Sequence, residues 1–116
     1  MTNPALWTAA ARGHTAEVRY LLATDGTDIE ERGGEGGSSP LHCAADHGHL
    51  EASRLLLEAG ADLSATTDDG RTPLHYAAQQ GREDVMQLLL DHTPDVSVQD
   101  TDGRTPLHYA TLQVTP

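Results

Sequence analysis

Phenylalanine and lysine are absent from this chain of 116 residues, and tryptophan and cysteine occur once each. A domain of that length built on one thick core ordinarily carries more aromatic bulk. Here the apolar content comes from alanine and leucine, which suits thin layers of closely packed helices. A single cysteine, Cys43, excludes an internal disulfide and points to a reducing compartment inside a cell, cytoplasm or nucleus. Apolar runs are short: Leu55-Leu56-Leu57 falls far below the roughly 20 residues of a membrane-spanning helix. The N-terminus has no charged start followed by an apolar stretch, so it does not read as a signal peptide. The sole asparagine, Asn3, precedes a proline and is no glycosylation site.

Basic charge is also scarce. Seven arginines stand against 18 Asp and Glu, a net charge of −11. Acids exceed bases 6 to 3 over residues 1–37, 6 to 1 over 38–70 and 6 to 2 over 71–103, so the excess is spread rather than held in a tail. Such a surface repels a phosphate backbone, and neither nucleic acid nor a membrane is expected as a partner. A protein with a basic patch would be attracted, and salt would weaken that attraction.

What the chain does have is a repeat. "DGRTPLHYA" runs from Asp69 to Ala77 and again from Asp102 to Ala110, with a looser copy, "GSSPLHCA", from Gly37 to Ala44. Pro40, Pro73 and Pro106 are 33 apart, as are His42, His75 and His108, and Gly48 and Gly81 keep the same step. A more divergent first copy aligns Leu6 with Leu41, Ala9-Ala10 with Ala44-Ala45 and Gly13 with Gly48, at an offset of 35. Its two extra residues fall near Ala23–Thr27 and Gly33–Gly37.

Each unit has a physical reading. Thr72 caps a helix through its hydroxyl and Pro73 takes the first helical position. The first helix runs over Leu74–Gln80 with Ala77-Ala78 as its close-packing face, and Gly81 ends it. The second covers Glu83–His92, with Glu83 and Asp84 opposing the dipole and Val85, Leu88 and Leu89 on one face. Pro94 blocks continuation, and Asp95–Arg104 forms a polar turn. Burying one leucine contributes roughly 1.5–3 kcal/mol, too little in two short helices to offset ordering thirty-odd residues at about 1–2 kcal/mol each. Stability must come from stacking units into a solenoid.

The 33-residue period, "TPLHYA" at Thr72–Ala77 and Thr105–Ala110, "GHLEASRLLLEAGADL" at Gly48–Leu63 and "GREDVMQLLLDHTPDV" at Gly81–Val96 resemble the ankyrin-repeat family over about residues 3–113. The resemblance implies an all-α solenoid of stacked helix-turn-helix units with hairpin-like loops. The units would span about 3–37, 38–70 and 71–103, with a partial one at 104–116. It also implies that the repeated histidine bonds locally and ties neighbouring units together. Trp7 stands at that position in the first unit, which suits a terminal cap. Val114 stands where the fourth unit's turn glycine would be. That ending suggests either a segment of a larger regulatory protein or an open apolar end near Leu107 and Leu112 prone to self-association.

Candidates for chemistry weigh lightly. His42, His75 and His108 recur one per unit, too far apart to share a metal. Cys43 and His47 have i, i+4 spacing but no second ligand pair. A nucleophile, base and orienter drawn from Cys43, His47 and Asp46 would all sit on one short helix, where convergence on one atom is rare. The Gly-rich Glu31–Ser39 lacks the lysine of a phosphate loop, carries three glutamates near it and reads as a flexible loop. No enzyme activity, metal or cofactor is expected. By the resemblance, a protein partner would contact loop tips at Thr66, Asp68, Asp69, Arg71, Gln99, Thr101, Asp102 and Arg104, and the outward side of the first helices at Asp46, His47, Tyr76, Gln79, Gln80 and Tyr109. Three readings stay open: a non-catalytic interaction scaffold, a regulatory segment of a longer protein, and an enzyme or ligand binder using a His-Asp-Tyr cleft near His47 and Tyr76.

Overall fold

The computed structural model describes residues 4–34, 36–93 and 95–112. Among these residues there are seven helices and no strand: α1 (Ala5–Arg12), α2 (Thr15–Leu22), α3 (Pro40–Asp46), α4 (Leu50–Glu58), α5 (Pro73–Gln80), α6 (Glu83–His92) and α7 (Pro106–Leu112). The sequence boundaries of α5 and α6 agree with the capping logic that predicts them. Thr72 accepts the His75 N–H, Pro73 opens the helix, and Gly81 closes it in the left-handed region at φ 68°. Glu83 and Asp84 occupy the first turn of α6. The stop at Pro94 and the turn position at Val114 lie outside the described residues.

Helices α1–α2, α3–α4 and α5–α6 pack as hairpins. The first helices stack in one layer, α1 on α3 on α5 on α7, and the second helices in another, α2 on α4 on α6. The product is elongated, 45 × 25 × 24 Å. Its core is a seam between the layers. Ala9-Ala10, Ala44-Ala45 and Ala77-Ala78 are buried on the first helices, and Val18, Ala52, Leu56, Val85 and Leu89 close over them. Paired alanines let the first helices approach closely, which explains how a chain with so few aromatic residues fills its interior.

Two sets of bonds fix one layer step to the next. The outer turns supply one: His49 Nε2 donates to the Ala11 carbonyl at 3.1 Å, and Arg82, 33 residues on, donates through Nε to the Asp46 carbonyl at 3.2 Å. Each satisfies an orphan carbonyl at the end of the preceding first helix. Gly48 has φ 73°, and a Cβ there would stand 2.8 Å from Arg82 Cδ. Glycine is therefore required both by the backbone and by the neighbour's approach.

The loops supply the other set. Thr67 N–H bonds the Arg71 carbonyl and Asp100 N–H the Arg104 carbonyl, at 3.0 and 2.9 Å. Gly33 and Ser38 pair in both directions in the first loop. Successive loops join through Asp68 N–H to Gly36 at 3.0 Å and Thr101 N–H to Asp69 at 2.9 Å. The Gly-rich segment, expected as a flexible loop, is thus tied. Arg32 also donates to the Gly37 and Thr66 carbonyls, at 3.0 and 3.1 Å.

Candidate interaction surface

The repeated histidines build the frame of this surface. His42 Nδ1 accepts the Ser39 N–H at 3.1 Å, so its proton sits on Nε2, which donates to the Arg71 carbonyl of the next loop at 2.8 Å. His75 repeats both bonds, to Thr72 at 3.0 Å and to Arg104 at 2.9 Å. Reciprocal capping of this kind ordinarily uses Glu or Gln at the third helical position. A neutral histidine does it here and has a second nitrogen left to reach forward. Burial pushes His42 down to about 4, against the opposing pull of the Arg71 carbonyl. His75 is lowered for the same first reason. His108 keeps the local half, accepting the Thr105 N–H at 2.9 Å, and is exposed.

Trp7 holds the histidine position of the first helix pair, and it makes the same forward bond. Its indole Nε1 donates to the Ser38 carbonyl at 3.1 Å, the carbonyl equivalent to those of Arg71 and Arg104. A Cβ at Gly33 would meet the indole at 2.8 Å, so the glycines there make room for it. Trp7, expected as a terminal cap, thus also does the forward half of the histidine's duty.

Beside each of these latches lies one variable position. Tyr76 packs edge-on to His42 with ring centres 5.5 Å apart, and Tyr109 does so to His75 at 5.9 Å. The two tyrosines then differ. Tyr76 is half-buried, whereas Tyr109 is only 3% exposed and donates its hydroxyl to the Asp100 carboxylate. Asp100 also accepts the Asp102 and Arg104 N–H groups, each at 2.9 Å, and Arg71 Nε stands 3.5 Å from its other oxygen. Burial alone would raise this carboxyl; the bonds from Tyr109, Arg104 and Asp102 outweigh it and hold it at about 2. Arg71 donates to Gln79 at 3.3 Å and lies 5.3 Å from the Tyr109 ring centre.

Of the residues expected at the surface, Arg71, Gln79, Tyr109 and Arg104 thus gather around Asp100. Sequence reasoning passed over Asp100; its one signal was an acid where the preceding copy has Thr67. Asp46, His47 and Tyr76 line an open groove of about 270 Å³ with Trp7 and Cys43. Gln80 donates to the Asp46 carboxylate at 3.1 Å. Thr66, Asp68, Asp69, Gln99, Thr101 and Asp102 are exposed on the loops. His47, Asp46 and Cys43, weighed above as a nucleophile, base and orienter, are not arranged around one reacting atom. His47 Nδ1 donates back to the Cys43 carbonyl at 2.9 Å, and burial raises the Cys43 thiol to about 11. Among the described residues, no group of three or more His, Cys, Asp or Glu is placed to share a metal ion. No helix among them is long and apolar enough to cross a membrane.

Stacked helix hairpins, left-handed glycine turns and loops linked by one backbone bond per step define a helical repeat solenoid. Family models of ankyrin repeats in many copies match residues 6–57, 41–90 and 76–113, and the chain belongs to the ankyrin-repeat family. It is similar to zinc finger CCCH domain-containing protein 24 of Oryza sativa subsp. japonica, 44% identical over 68 residues, 56% of this chain and 9% of that protein. It is similar to protein phosphatase 1 regulatory subunit 27 of Homo sapiens, 42% identical over 66 residues, 57% of this chain and 42% of that one. Ankyrin repeat-containing protein P1E11.10 of Schizosaccharomyces pombe is 33% identical over 69 residues, 60% of this chain and 32% of its own length. The chain spans less than half the length of each of these relatives. Ankyrin repeats bind other proteins, and the family is generally non-catalytic.

Proposed function

We propose that this chain is a non-catalytic scaffold that binds a protein carrying a basic patch, inside a cell. The contacts would come from its loop tips and from the open side of α3 and α5. Its repeat units would be about 3–37, 38–70 and 71–103, with a partial unit at 104–116. The observation that carries this reading is the exposed acidic row on stacked loops, Asp68, Asp69 and Asp102; bonds between loops pin the backbones of the first two, and the Asp100 carboxylate holds the N–H of the third. Side chains on a pinned backbone lose little freedom on binding. The similarity to a phosphatase regulatory subunit supports a role exercised by docking rather than by chemistry. A partner recovered by affinity capture should bind several-fold more weakly as salt is raised, and more weakly to a chain with Asp68, Asp69 and Asp102 all changed to Asn. Affinity unmoved by either change refutes the reading.

A second reading has its own observation. Leu107 is 69% exposed, Val96 50% and Leu90 42%, around an apolar groove of about 420 Å³ lined also by Leu74, Met86 and Ala110. Self-association through this face follows if copies cover it in one another. Sedimentation across a hundredfold range of concentration tests it, and a constant monomer mass excludes it.

A further inference from the structure

The groove beside Trp7 crosses three helix pairs: Trp7 comes from α1, Cys43 and Asp46 from α3 with His47 capping its end, and Tyr76 from α5. Its walls bring two aromatic rings, and its polar atoms are short of donors. The indole N–H is committed to Ser38, and the His42 Nε2–H to the Arg71 carbonyl. His47 spends its Nδ1–H on the Cys43 carbonyl, and in the neutral tautomer that donates there Nε2 is an acceptor. The Asp46 carboxylate accepts one N–H, from Gln80 at 3.1 Å, and a carboxylate has capacity for about four. Cys43, a thiol pushed up to about 11 by burial, adds no charge at neutral pH. The neighbouring arginines have other partners: Arg32 the Gly37 and Thr66 carbonyls, Arg71 Gln79 and Asp100, and Arg82 the backbone carbonyl of Asp46 rather than its carboxylate. An aromatic, acceptor-rich groove on a chain of net charge −11 calls for a flat, cationic donor.

We propose that this groove receives the guanidinium of an arginine side chain from a protein partner, against the Trp7 and Tyr76 rings and paired with Asp46. Arginine fits better than lysine because its planar, weakly hydrated cation stacks on aromatic faces and offers several donors at once. The assignment rests on the scaffold reading and names where one basic side chain of the partner goes.

Trp7 is the only tryptophan, so its fluorescence and indole N–H resonance report this groove alone. The probes are N-acetyl-argininamide, N-acetyl-lysinamide and N-acetyl-citrullinamide, the last matching arginine in shape without its charge. The arginine derivative should shift the Trp7 signals saturably, the lysine derivative more weakly, and the citrulline derivative hardly at all. Asp46→Asn should weaken arginine binding by roughly two- to fivefold, the range of an exposed ion pair. If that variant folds poorly by circular dichroism, added salt on the unaltered chain reads the same pairing. No saturable shift with the arginine derivative overturns the proposal, as does citrulline binding equally, lysine binding equally, or indifference to both Asp46→Asn and salt. The loop variant with Asp68, Asp69 and Asp102 changed keeps Asp46. Partner binding unmoved by the loop changes and by salt, with arginine uptake intact, fails the scaffold reading alone; partner binding weakened by them, with no arginine uptake, fails this one alone.

Discussion

The first and last junctions of the stack solve one problem with opposite chemistry. At both, a side chain on a first helix donates to the carbonyl that closes the next loop: Trp7 to Ser38, His75 to Arg104. At the first, the adjoining positions are Gly33, Gly34 and Cys43, small or soft, with a groove left open. At the last, the equivalents are Asp100 and Tyr109, a carboxylate and phenol sealed under Arg71. The forward bond specifies the stack. The residues next to it decide whether a junction is an opening or a plug, and so where a partner can enter.

Removing the forward bond at the closed junction should have the largest effect. His75 is fully buried, and His75→Ala leaves the Thr72 N–H without its acceptor and opens a cavity. Urea unfolding should show a loss of about 2–4 kcal/mol. A loss below about 1 kcal/mol would mean the bond between units is incidental.

Acid should come next, and should separate the junctions by residue type. A histidine held at about 4 when folded binds fewer protons than the unfolded chain between pH 4 and 6.5. Its contribution is therefore complete above pH 6.5 and fades as pH falls towards 4. For His42 the loss at pH 4 is about 3 kcal/mol, and His75 adds in the same direction. Trp7 has nothing to titrate, so its junction should hold. Urea unfolding from pH 7 to 4 measures the total, and the histidine resonances should show His42 titrating well below 6.5.

The comparison also shows what could be read in advance. Helix ends were legible wherever a local rule acts: Thr72-Pro73 starts α5, Gly81 ends it, and the acids at Glu83 and Asp84 start α6. The forward bond itself came from family resemblance, since nothing local says that His42 reaches a carbonyl 29 residues away. The forward bond of Trp7 was not legible, since only the folded stack shows that any forward N–H donor of adequate reach serves there. Asp100 was missed because its partners Tyr109 and Arg71 converge only once the units stack. The Trp7–Cys43–Tyr76 groove was half seen: Asp46, His47 and Tyr76 were named, but the indole that closes it lies on another helix pair.

The plug itself should be worth less than the histidine bond. Tyr109→Phe removes one donor from a buried carboxylate, an expected cost of about 1.5–3 kcal/mol. It should also raise the Asp100 carboxyl from about 2. A depressed carboxyl stabilises above its unfolded value near 4 and loses that contribution as pH falls, so the variant should unfold in milder acid. Tyr76→Phe, at the middle junction where the tyrosine edges the open groove, should cost under about 1 kcal/mol and leave acid unfolding unchanged. Equal costs for the two would erase the distinction between plug and opening.

The smallest effect tests why the first junction uses tryptophan at all. Ser39 and Thr72 each offer a backbone N–H to the histidine Nδ1 three residues on. The equivalent residue before Trp7 is Pro4, which has no N–H. A histidine at position 7 would face forward with one nitrogen and find no local donor for the other, while an indole needs only its single forward bond. Trp7→His should therefore cost about 1–2 kcal/mol from lost packing on Gly33 and a loosened ring. Adding Pro4→Ser restores both the donor and a capping hydroxyl, and should recover about 1 kcal/mol. Pro4→Ser with Trp7 intact should recover less, because only the histidine can use the restored N–H. The difference is a coupling energy measured by a double-mutant cycle in urea. Strict additivity would show that proline and tryptophan were not chosen as a pair.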